Sequence, residues 1–236
     1  MSIDDAALAL SLRRLSLSRE DNGNVISAIE TVLDACVGLF GVSGAGVLIA
    51  DEQDMLRYVA ATDEPGRILE RTEAAAGEGP CTEAYVTATV VTTHDVTAEA
   101  ERWPHLAATM TDQPVRAVLG TPVRLGGVPV GTLDVYMDKA HDWDASEVAA
   151  LARYAEVIAT TLSAAVQAHT AGEMARQLQY ALDYRVVIER AVGYLMAKDS
   201  IDAVAAFNAL RTSARSSRTK IGVIAEYVLE RGSLPH

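Results

Sequence analysis

The chain has 236 residues, half of them hydrophobic and 22% charged, with two cysteines and a net charge of −12. That composition excludes wholesale disorder and a disulfide framework, and the length allows a core without staples. No apolar run approaches a membrane span, and Asp4 and Asp5 stand where a secretory leader would be basic, so a soluble cytoplasmic protein is expected. The charge is unevenly placed. Residues 1–175 hold 11 basic and 26 acidic side chains, a balance of −15, whereas 176–236 hold 9 and 6, a balance of +3. Only the C-terminal part suits a phosphate backbone.

In chain order, residues 1–24 read as a short amphipathic helix (Leu8, Leu12, Leu15) ending in a polar stretch at Asn22-Gly23-Asn24. Val25, Ile29, Val32, Cys36 and Phe40 recur at helical spacing, and glycines from Gly38 to Gly46 mark the end of that helix. Strands are expected at 46–50, 56–61 and 90–93, and a helix over 65–76 that ends at Gly77. Residues 117–125 and 128–137 around Gly126-Gly127 give an antiparallel hairpin. Helices among antiparallel strands indicate an α+β domain, a sheet flanked by helices, over 25–168.

Beyond Trp143, Val148, Leu151, Ala155, Ile158, Leu162 and Ala165 alternate in steps of three and four. The pattern slips near Ala171-Gly172 and resumes with Ala175, Leu178 and Leu182, and no proline interrupts it. This predicts a long coiled-coil helix over 144–183 that forms a homodimer seam. The alternative packs the helix back onto its own sheet. Three helical stretches follow, with breaks at Asp199-Ser200 and Ser216-Ser217, and predict a small three-helix bundle over 176–236.

The blocks Arg185-Val-Val-Ile-Glu-Arg-Ala-Val-Gly-Tyr-Leu-Met196, Ala206-Phe-Asn-Ala-Leu-Arg211 and Lys220-Ile-Gly-Val-Ile-Ala225 resemble the ANTAR domain family in order and spacing. Val192 departs from the pattern, since many members carry Lys there. The resemblance implies an RNA-binding transcription antiterminator that captures small stem-loops. The expected RNA set is Arg190, Gly193 and Tyr194 with Arg211, Arg215, Ser217, Arg218, Thr219 and Lys220. No acid lies between Asp202 and Glu226, which supports that set. A DNA-binding helix-turn-helix and a protein-interaction dimerisation module are the alternatives.

Upstream, Gly77-Glu-Gly-Pro-Cys-Thr-Glu-Ala84, Val91-Thr-Thr-His-Asp-Val96 and Gly120-Thr-Pro-Val with Gly131-Thr-Leu133 resemble the GAF domain family. The resemblance implies a sensor for a small-molecule or protein effector, with a pocket around Cys81 and Tyr85. Some relatives reduce methionine sulfoxide with several cysteines, and this chain has only Cys36 and Cys81. Glu78 and Glu83 should raise the Cys81 pKa. His94-Asp95 and His141-Asp142 are adjacent pairs that do not face one another, and turn or strand-end roles are expected for them. No dinucleotide fingerprint, P-loop, EF-hand or zinc spacing is present, so no catalytic residue, cofactor or metal is expected.

Overall fold

The computed structural model describes residues 3–18, 25–168 and 173–235, with side chains in the long helical region up to 166 and again from 184. The elements are α1 (Asp5–Ser18), α2 (Val25–Phe40), β1 (Gly44–Ala50), β2 (Leu56–Ala61), α3 (Glu64–Ala76), α4 (Pro80–Thr87), β3 (Val91–Thr93), α5 (Pro104–Met110), β4 (Ala117–Leu125), β5 (Val128–Met137), α6 (Ala145–Ala168), α7 (Glu173–Asp199), α8 (Ala203–Ser217) and α9 (Ile221–Arg231).

The five strands form one antiparallel sheet in the order β2-β1-β5-β4-β3. At the β4–β5 turn Gly126 has φ 57 and Gly127 φ 87, the left-handed pair that a two-residue hairpin turn requires. α3 starts at Asp63, whose side chain accepts from the Gly66 N–H at 2.9 Å, and ends at Gly77 with φ 72.

β1 is buried along its whole length, because both faces of the sheet are covered. On one face Ala45, Val47, Ile49, Leu119, Leu133 and Val135 meet Ile29, Val32, Leu33, Cys36 and Phe40 of α2. Leu151, Tyr154, Ala155, Ile158 and Leu162 of α6 complete that core, and α1 joins it through Leu15. The opposite face carries α3, α4 and α5, with the C-terminal helices at the β1 end.

This placement corrects the expected dimer seam. Leu151, Ile158 and Leu162 are fully buried in the chain's own core, and Val148 packs against the same cluster. The three-and-four spacing is equally that of a helix lying on a sheet. Against the expectation that no apolar stretch approaches a membrane span, α6 is long and apolar enough by composition to cross one, and its apolar side belongs to this core. The resumed pattern at Ala175, Leu178 and Leu182, the slip at Ala171-Gly172 and the polar stretch at 22–24 lie outside the described residues or side chains.

Nor does one straight helix run from 144 to 198. Ala88 borders a cleft with Ala155 and Ala159 of α6 and another with Arg185 and Ile188 of α7. In a straight helix Ala155 and Ile188 would stand about 50 Å apart. α6 and α7 are therefore not collinear, and α7, α8 and α9 pack as a bundle against the preceding domain. Ile188, Ala191, Leu195, Phe207, Leu210, Ile221, Ile224 and Val228 share one apolar cluster with Leu48, Ala50, Cys81 and Tyr85 of the sheet and α4.

Candidate functional site

The expected RNA set divides in the folded chain. Arg190, Gly193 and Tyr194 are exposed on α7, and beyond the helix's own backbone and adjoining residues nothing lies within 4 Å of where a Gly193 Cβ would stand. Close packing of a neighbouring helix is therefore not the reason for this glycine. Arg215, Ser217 and Arg218 are exposed at the end of α8, where Arg218 takes a left-handed φ of 52 as C-cap, and Thr219 is half-buried. Lys220 opens α9 and pairs with Glu52 of the β1–β2 loop at 3.2 Å. Gly232 closes α9, and its carbonyl accepts from the Tyr194 hydroxyl at 3.3 Å. Tyr194 and Lys220 thus stand at opposite ends of α9, about 17 Å apart along its axis, and do not form one compact patch.

Arg211 departs furthest from expectation. It is 7% exposed, covered by the sensor rather than open to solvent. Its guanidinium rests on Gly77: a Cβ there would come within 2.3 Å of Nη1. Nη2 donates to the Ala75 carbonyl at 3.3 Å, and Asn208, one turn earlier, donates to the Gly77 carbonyl at 2.9 Å. Burial lowers the Arg211 pKa to about 10, helped by the charges of Arg215 and Arg57.

A second arginine secures the same interface. Arg185 of α7 lies over the Tyr85 ring at 4.6 Å and donates to the carbonyls of Tyr85 at 2.9 Å and Val86 at 3.3 Å. It also pairs with Asp54 at 3.5 Å, and the Tyr85 hydroxyl donates to the same Asp54. Phe207 meets the Tyr85 ring edge-on at 6.3 Å. Tyr85 is therefore packed into the junction with the bundle. Val192, where the family pattern has Lys, is buried and borders a cleft of about 500 Å³ with Val86, Met196 and Phe207.

Cys81, the other expected pocket residue, turns inward. Its Sγ donates to Asp134 of β5 at 3.2 Å, and the ligand atoms of Glu70, Cys81 and Asp134 lie within 4.8 Å of one another, all buried. Glu73 lies beside them, its Oε2 accepting the N–H groups of Cys81 at 2.9 Å and Thr82 at 3.0 Å at the start of α4. Burial pushes the Glu73 carboxyl up to about 8, and it also raises Glu70, Asp134 and the Cys81 thiol. The expected rise at Cys81 thus comes from burial and from Asp134, Glu73 and Glu70. Glu78 and Glu83 face elsewhere, toward the His105 N–H and the Arg102 guanidinium. Sequence reading missed this cluster, because its members come from α3, α4 and β5 at unrelated spacings.

His94 and His141 each meet a carboxylate. His94 meets Asp142 at 2.8 Å, His141 meets Glu147 at 2.9 Å, and Asp95 caps the turn at 96–98 through the Thr97 N–H. No nucleophile joins either pair among the described residues.

Residues 24–163 match the GAF domain family and residues 176–229 the ANTAR domain family. No curated protein matches the chain. Among solved structures it is similar to the free methionine-R-sulfoxide reductase of Neisseria meningitidis in complex with its substrate, with a TM-score of 0.56 and 18% identity over 71% of this chain and 96% of that one. The GAF domain of an Acinetobacter phosphoenolpyruvate-protein phosphotransferase gives 0.56 and 16%, over 72% and 98%. A domain of a two-component sensor histidine kinase protein from Sinorhizobium meliloti 1021 gives 0.53 and 20%, over 64% and 97%. At these identities the likeness speaks for the fold alone. Sheet, flanking helices, terminal bundle and both sequence matches agree: the chain belongs to the GAF family and carries an ANTAR domain behind its sensor.

Proposed function

We propose that this protein is a cytoplasmic RNA-binding transcription antiterminator whose GAF domain holds the ANTAR bundle in a docked state. The observation that carries this reading is the position of Arg211. The last residue of the A-F-x-x-L-R block lies against Gly77 of the sensor, while Arg215 and Arg218 beside it stay exposed. Undocking would return a planar guanidinium to that basic edge, where it can stack on a loop base or fork onto phosphate. An effector acts by favouring one of the two states, through its differential affinity for them. The chain's role is regulatory rather than catalytic.

Capture of paired stem-loops by a dimer is the finer form of this proposal. Two bundles in one assembly would raise the effective concentration of the second contact. The α6 stripe is not available for that purpose. A DNA-reading α9 is less well supported, since its exposed side chains include Val223, Glu226, Tyr227, Leu229 and Glu230. Base edges are usually read by Arg, Asn or Gln.

Competition binding tests the reading on the full chain carrying Asp54→Asn, which weakens docking without touching the RNA set. An RNA stem-loop should compete well and a DNA duplex of the same sequence poorly, and Arg215→Ala should reduce the salt slope by roughly 0.7. Preference for the duplex would contradict the proposal.

A further inference from the structure

Most buried carboxylates in a folded chain are met by a cation or by several donors. In the group beneath α3 and α4 no cation among the described residues does so, and only Glu73 has two N–H donors, from Cys81 and Thr82. Apart from a proton shared between the Glu70 and Asp134 carboxyls, both carboxylate oxygens of Glu70, one of Glu73 and one of Asp134 meet no hydrogen-bond donor, and all three side chains are buried to within 1%. The Thr132 hydroxyl, two residues before Asp134 on the same face of β5, is also buried without a partner. Among the described residues no Lys, Arg or His forms an ion pair with any of the three acids.

Backbone makes room for these carboxylates. A Cβ on Gly46 would fall 1.9 Å from Glu70 Oε1, so β1 is hollowed where that side chain enters. On Gly79, at φ 126, a Cβ would fall 2.4 Å from the Glu73 carboxyl. Glu70 is thereby aimed at Cys81 and Asp134 rather than out toward solvent.

We propose that Glu70, Cys81 and Asp134 form a binding site for a divalent transition-metal ion. The three ligand atoms lie within 4.8 Å of one another. A tetrahedral zinc-type centre needs them roughly 3.3–3.6 Å apart, a closure within reach of side-chain movement. The donor set selects the class of ion. A thiolate among carboxylates favours zinc, cobalt or ferrous iron over magnesium or calcium, which take oxygen ligands alone. Glu73 Oε2 is engaged by the N–H groups of Cys81 and Thr82, which fixes the start of α4 and with it the Cys81 ligand. On binding, the protons held by the thiol and the carboxyls pass to solvent as metal–sulfur and metal–oxygen bonds form.

The test is a titration of the chelator-treated full chain with Co²⁺, followed by displacement with Zn²⁺, with no RNA present. One ion should bind per chain, with a thiolate-to-cobalt charge-transfer band that zinc abolishes. Cys81→Ser should lose the band, Cys36→Ser should keep it, and Glu70→Gln should weaken binding by at least about tenfold. Glu70→Gln removes charge at nearly constant shape and should fold by circular dichroism; should it not, Asp134→Asn carries the same comparison. Absence of the band, its survival in Cys81→Ser, or unchanged affinity in the folded carboxamide variant would overturn the assignment. Because nucleic acid plays no part in the readout, the result is independent of the RNA proposal.

Discussion

Arg185 on α7 and Arg211 on α8 both lie buried against the sensor, yet their surroundings differ. Arg185 meets an aromatic face, two carbonyls and the carboxylates of Asp54 and Glu189. Burial alone would lower its pKa, but the negative groups around it outweigh that and raise it. Arg211 has one carbonyl at 3.3 Å and the bare backbone of Gly77, and no carboxylate pairs with it among the described residues. Two like charges, Arg215 and Arg57, add to the cost of its burial. A buried charge met by a counter-ion holds an interface, and one without a counter-ion weakens it. In the proposed docked state, Arg185 would serve as the anchor and Arg211 as the contact that leaves.

Removing the anchor should have the largest effect. Asp54→Asn keeps the left-handed turn at φ 55, which Asn tolerates, and leaves Arg185 buried without its inward carboxylate. Docking should weaken by about 3 kcal/mol, read as lost hydrogen-exchange protection in α8 and α9. Gly77→Ala comes next. It strains a residue at φ 72 by about 1–2 kcal/mol and drives a methyl into the Arg211 guanidinium, so the melting temperature should fall while RNA binding improves. Arg57→Ala works in the opposite direction. It removes a like charge from Arg211 and should tighten docking by less than about 1 kcal/mol, measured as weaker RNA binding at low salt that vanishes at high salt. Glu52→Gln, which breaks only the half-exposed pair with Lys220, should change docking by about 0.5 kcal/mol or less.

Much of the sensor was legible because its signals are local. Gly126-Gly127 between two alternating apolar runs marks β4 and β5, and Gly77 marks the end of α3. α4 was not legible. Pro80, Cys81, Thr82, Ala84, Tyr85 and Val86 are all buried, so a helix enclosed between sheet and bundle shows no polar face and no period. The α6 stripe was visible, but its partner was not, since a sheet and a second copy ask for the same spacing. The basic block at 211–220 was legible as chemistry, whereas the covering of Arg211 depends on Gly77, a residue more than a hundred positions away. Glu70, Cys81 and Asp134 are likewise brought together only by the fold.

In the proposed mechanism, docking on the sensor limits access to the bundle's RNA surface. Its most direct test is the affinity of one RNA stem-loop for the full chain and for Asp54→Asn, at equal salt and with both proteins verified as folded. A docked state favoured by at least about 1.4 kcal/mol predicts that the variant binds about tenfold tighter or more. Equal or weaker binding by the folded variant would contradict the account.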